Sequence, residues 1–68
     1  MRTETMMEAS YRVAWSALGK SHQTGSFSRR DDATTAYEHH TANVHVDAAM
    51  LLCRPAGASR FQPIKALA

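Results

Sequence analysis

Four histidines (His22, His39, His40 and His45) and one cysteine, Cys53, are the side chains of this chain best suited to hold a metal or attack a substrate. A structural zinc site shows itself in sequence as tight, repeated pairs of such donors. No pair here has that spacing, and His39 and His40 are adjacent, so on a helix they point about 100° apart and do not face one ion. Cys53 adjoins Arg54, but no spacing marks a general base for it, and a buried cysteine serves well as a small hydrophobe. Asp31 and Asp32 look like paired carboxylates. Placed in the first turn of a helix, they are accounted for by the macrodipole. Gly19-Lys20-Ser21 matches the end of a phosphate-binding loop, but the upstream glycine that loop requires falls at Ala14. The reading is therefore non-enzymatic, with no catalytic residue, cofactor or metal.

Binding chemistry is better represented. Arg12, Lys20, Arg29 and Arg30 fall in a stretch without acids, and Arg54, Arg60 and Lys65 follow Asp47, again without acids. With His22 these residues form the candidate binding surface. A basic patch attracts acidic partners, whereas a net charge of only +2 equally fits a plain solvated face. Tyr11 and Trp15 beside Arg12 are the residue types that stack on bases and contact phosphates. The rival use of those rings is the core, because the chain has little else to build one from.

The elements that must position these residues follow from periodicity. Tyr11, Val13 and Trp15 alternate with Arg12, Ala14 and Ser16, the period of a half-buried strand. A competing helix, with Thr5 and Glu8 as a capping box and Gly19 as its stop, uses Met7, Tyr11, Trp15 and Leu18 as one face. Gly19-Lys20-Ser21 supplies turn chemistry, and His22 to Phe27 is poor in helix formers, which favours a hairpin from Tyr11 to Phe27. Ser28 three residues before Asp31 predicts a helix start. Ala33, Ala36, Tyr37, His40 and Val44 then recur on one helical face, with Asn43 as the stop.

After the helix, Val44, Val46, Ala48, Met50 and Leu52 are expected on one face of a strand and Leu51 and Cys53 on the other. Asp47 as a cap would allow a short helix instead, and Pro55 ends either element. Met1 to Glu8 reads as a loosely held start. The tail after residue 55 carries Phe61, Ile64 and Leu67 at a spacing that suits a docked turn, an edge strand or a frayed end. Residues 1–55 are thus expected as one small domain and 56–68 as a basic C-terminal tail.

The totals bound what such a domain can do. A chain of 68 residues buries only about 60% of the surface it exposes when unfolded. Ile, Leu, Val and Phe together number ten, which makes a thin core that a partner or a second copy would complete. The single cysteine suits a reducing compartment, and no apolar run is long enough to cross a membrane, so a cytoplasmic location without a membrane partner is expected.

Two resemblances can be set beside these readings. Tyr11 to Trp15, Gly19-Lys20, Gly25 to Ser28, Asp32-Ala33 and Ala36-Tyr37 together resemble the hairpin-to-helix portion of the arm-type DNA-binding domains of tyrosine integrases. That resemblance implies a sheet in the major groove, with Arg12, His22, Thr24 and Lys20 at the DNA. In size and element order the chain also resembles small phage proteins that bind and block host machinery, including anti-CRISPR proteins and inhibitors of host RNA polymerase. The expectation is an α+β domain with a small antiparallel sheet packed on one helix, in the order β-β-α-β, and a three-helix bundle as the alternative. Its expected function is that of a non-enzymatic inhibitor or modulator bound to a host protein or nucleoprotein complex. The alternative is a DNA-binding module built on the basic hairpin, and a homodimer is compatible with either.

Overall fold

A computed structural model describes residues 9–67 of the chain. The element order is β1 (Ser10–Ala17), β2 (Lys20–Gln23), α1 (Arg30–Thr41), β3 (Val46–Arg54) and β4 (Gln62–Leu67). The strands form one antiparallel sheet in the order β2-β1-β3-β4, and the helix packs across β1 and β3. The α+β expectation is met, with one strand more than expected. The segment expected as a tail after residue 55 enters the sheet as β4, so the fold runs on to Leu67. The loosely held start proposed for residues 1–8, and with it Thr5 and Glu8, lies outside the described residues.

Alternation in β1 decides strand over helix at Ser10–Ala17. Val13 is completely buried, while Tyr11 and Trp15 on the same face are half-buried against the helix. The hairpin turns at Leu18-Gly19, one residue earlier than Gly19-Lys20-Ser21, and Lys20 already pairs with Ala17. Both turn residues have positive φ, Leu18 at 53° and Gly19 at 79°, as a two-residue hairpin turn of the mirror-image type demands. Beyond β2 the chain stays beside β1: Thr24 N donates to Val13 O at 2.9 Å, and Tyr11 and Phe27 exchange both backbone bonds. That contact delivers the chain to the helix at the Tyr11 end of the sheet.

The helix start differs from the expected capping box. Arg29, not Ser28, occupies the cap position, and no side chain caps the first turn. Asp31 and Asp32 sit in that turn and face its positive end. At the other end the helix stops at Thr41. Asn43 reverses the chain by accepting the backbone N–H of His45 on Oδ1 at 2.9 Å, a side-chain turn rather than a left-handed cap. Val44 is left in that turn, 90% exposed, and does not join the helical stripe.

Two bulges set the faces of the last strands. Ser16 pairs with Ala48 and Ala17 with Val46, so Asp47 is the extra residue, and Val46 swings to the helix side and packs on the core. Ala48, Met50 and Leu52 keep the opposite face, as alternation predicts, and Val46 leaves that set. In β4, Leu51 pairs with Lys65 and Leu52 with Pro63, which makes Ile64 the extra residue. Among the described residues the five that are buried, Val13, Ala33, Tyr37, Ala49 and Leu51, all lie between the helix and one face of the sheet. Alanine at 33 and 49 allows the helix to approach closely.

Candidate functional site

Cross-strand partners share a face of a sheet, so the register assigns every strand residue to the helix side or to the open side. Arg12 opposite Leu52, Ala14 opposite Gln23 and Met50, and Ser16 opposite Ser21 and Ala48 all lie on the open side. Pro63 and Ala66 extend it onto β4. No element covers this face among the described residues, and none of the buried residues belongs to it.

The open face has two parts. Toward the hairpin end it is hollowed into a shallow depression of about 420 Å³, lined by Ala14, Ser16, Ser21, Gln23, Ala48 and Met50, with Trp15, His22 and Ala49, whose side chains belong to the helix side, also contributing to its wall. Met50 is 40% exposed at its rim. Toward the other end, Arg12 and Arg54 converge on Phe61. The Arg12 guanidinium carbon lies 4.8 Å from the ring centroid and that of Arg54 5.8 Å. Both distances are in the range of cation–π contact. Arg12 Nε donates to Ser26 Oγ at 3.2 Å and Nη1 to Gln23 Oε1 at 3.4 Å, while Arg54 Nη2 donates to Ser10 Oγ at 3.2 Å. Every one of these partners is neutral.

The remaining candidate residues do not join this cluster. His22 pairs with Trp15 and so lies on the helix side, away from the face that carries Arg12. Thr24 turns its hydroxyl inward, accepting Val13 N at 3.1 Å and donating to Gly25 O at 2.8 Å, and is not an outward contact. Lys20 stands exposed beside the hairpin turn, and Arg29 and Arg30 stand exposed at the helix start. Arg60 precedes Phe61 in the exposed loop. Lys65 is on the helix side, its Nζ 5.8 Å from the centroid of the Tyr37 ring. Of the eight basic or histidine candidates, the structure brings together Arg12 and Arg54. Phe61, expected as one of the spaced apolar residues of a tail, is the group that joins them.

On the helix side, three histidines gather around Trp15. The His40 ring stacks on the indole at 3.7 Å and the His22 ring at 5.3 Å, and His39 meets His40 edge-on at 5.2 Å. Burial holds the His40 imidazole below its ordinary value, with the nearby charges of His39 and His22 acting in the same direction. Among the described residues no group of three or more His, Cys, Asp or Glu side chains is arranged to hold a metal ion. No described helix is long and apolar enough to cross a membrane.

Comparison with protein-family models, with curated proteins and with solved structures gave no match.

Proposed function

We propose that this chain is a small non-enzymatic interaction protein that lays the open face of its sheet on a host protein or nucleoprotein complex and acts as an inhibitor or modulator of the phage type. The observation that carries the reading is the open face itself, where Met50 and Ala48 stand exposed and Ala14 and Leu52 half-buried beside the Arg12–Phe61–Arg54 cluster. A sheet with one face on a helix ordinarily turns polar side chains to water on the other. Apolar residues flanked by cations are instead the composition of a docking surface. Placing a photo-reactive residue at Met50 and, separately, at the exposed helix position Glu38 tests this in cells that express the chain. A discrete adduct from position 50 and none from position 38 is the expected result, and equal adducts from both would refute the assignment of the face.

The alternative, a DNA-binding module using the hairpin, draws on Arg12 and Lys20 with Arg29 and Arg30. Phosphate contacts release counterions, so duplex affinity would fall by about 0.9 log units per contact for each tenfold rise in salt. Fluorescence anisotropy of a labelled duplex across a salt series separates the two readings. A flat response even at low salt supports the protein partner; a steep slope abolished by Arg12→Ala with Lys20→Ala supports DNA.

A further inference from the structure

We propose, on the premise that the open sheet face is the docking surface, that it recognises an acidic segment of a partner protein: a carboxylate held between Arg12 and Arg54, beside an apolar side chain seated in the Ala14–Ala48 depression. The argument begins with charge. Arg12 and Arg54 sit on the same face of adjacent strands, Arg12 opposite Leu52 and Arg54 opposite Ser10, which makes the two cations diagonal neighbours. Their guanidinium carbons are no farther apart than the sum of their distances to the shared Phe61 ring. Diagonal positions on adjacent strands are within reach of long side chains, so the two like charges oppose one another. Their bonds to Ser26, Gln23 and Ser10 engage neutral oxygens and leave most of their N–H donors free for an anion. The described carboxylates do not fill that role: Asp31, Asp32 and Glu38 are on the helix, and Asp47 lies at the opposite end of β3 from Arg54.

Geometry adds to this. Phe61 lies against both guanidiniums, and Ser26, Gln23 and Ser10 hold their N–H groups, so the forks are oriented before any ligand arrives. Bidentate binding of a carboxylate benefits from that preorganisation. Gln23 belongs to both parts of the face, bonding Arg12 and lining the depression. A ligand carrying an anion and a neighbouring apolar group can therefore contact both at once.

The same observations choose among occupants. A second copy of this chain would bring the same two cations and, among the described residues, no carboxylate on that face. A nucleic-acid backbone would meet two cations and then an apolar strip that offers its phosphates nothing. A protein segment in which an acidic residue neighbours a bulky apolar one matches both halves.

Selection of a displayed random-peptide library on the immobilised full-length chain tests the inference. Enrichment of peptides with Asp or Glu beside an apolar residue is expected, with affinity for the enriched peptides falling about tenfold or more when their acidic residue becomes the amide or when Arg12→Gln and Arg54→Gln are combined. Lys20→Gln with Lys65→Gln should leave that affinity unchanged. Far-UV circular dichroism confirms that each variant is folded, and the amide-for-acid change in the peptide tests the same contact on the unaltered chain. Enrichment of peptides without carboxylates, indifference to both sets of changes, or no enrichment would overturn the proposal. Peptides that ignore the arginines but are lost with Met50→Glu would sink the carboxylate and leave the docking face standing. Peptides that ignore Met50→Glu as well would sink both.

Discussion

Leu51→Ala against Met50→Ala measures which face of β3 stabilises the fold. The two residues are neighbours in sequence and similar in volume, yet Leu51 is 1% exposed beneath the helix and Met50 is 40% exposed on the open face. Leu51 pairs with Val13 and Lys65 and lies in the same cluster as Ala33 and Tyr37, so its truncation leaves a cavity at the centre of the only buried layer described. Such a change costs about 3 kcal/mol. A chain of this length has about 3 to 10 kcal/mol of total stability, and only five buried residues among those described place it toward the low end. Leu51→Ala is therefore expected to unfold about half of the protein at room temperature if the stability lies at that low end, and otherwise to move the urea midpoint by about 3 M given a slope of about 1 kcal/mol/M. Met50→Ala should cost less than about 1 kcal/mol. Urea titration followed by far-UV circular dichroism, at two protein concentrations differing by about tenfold, gives both numbers. A Met50→Ala loss as large as that of Leu51→Ala, growing with protein concentration, would refute the reasoning. It would mean that a second copy covers the open face.

Three further outcomes follow from local geometry. Leu18 takes a left-handed conformation at φ 53° while 76% exposed, so Leu18→Asn should raise thermal stability by about 0.5 to 1 kcal/mol, read as a higher melting temperature. Arg29 occupies an uncapped helix start, and Arg29→Asp should stabilise by about 1 kcal/mol in the same melts while Ser28→Ala changes nothing measurable. His40 is held below its ordinary value in the folded state, so the unfolded chain binds more protons near that value; stability should be full above about pH 6.5 and decline as pH falls through it toward the folded value. Because His40 stacks on the single tryptophan, the same acid titration should change Trp15 fluorescence, and His40→Gln should flatten the stability curve and reduce the fluorescence change.

What the sequence made legible was local. Tyr11, Val13 and Trp15 alternate as a strand does, and the turn chemistry of Gly19-Lys20-Ser21 tips that segment away from the competing helix, while Ala33, Ala36 and Tyr37 mark a helix face, because these signals belong to a few consecutive residues. Bulges defeat that logic. Nothing in Val46-Asp47-Ala48 announces that Asp47 is an extra residue, so Val46 could not be separated from Met50 and Leu52 by pattern. β4 was obscured for a related reason: Pro63 and a bulge at Ile64 break the alternation of an edge strand. The site depended on long-range register. Arg12 was legible as outward from its place between Tyr11 and Val13, but its convergence with Arg54 and Phe61 requires the β1–β3 pairing and the return of the 55–61 loop. His22 went to the other face because the turn falls at Leu18-Gly19, and a shift of one residue reverses every side chain that follows.

The same irregularities bear on how the chain can associate. A sheet of this kind can be extended at an edge or covered on a face. At one edge, β2 is four exposed residues long, and at the other, β4 contains Pro63, which has no N–H to offer, and the Ile64 bulge. Short strands, proline and bulges are the devices that prevent a further strand from adding. The open face carries no comparable protection. Arg12 and Arg54 are tied to Phe61 at one end, and the centre is left to Ala14, Ala48 and Met50, so a cation pair discourages a second copy without closing the depression. Edges that resist pairing, together with the proposed charge selectivity of the open face, favour face-on contact with a partner over open-ended assembly of the chain with itself.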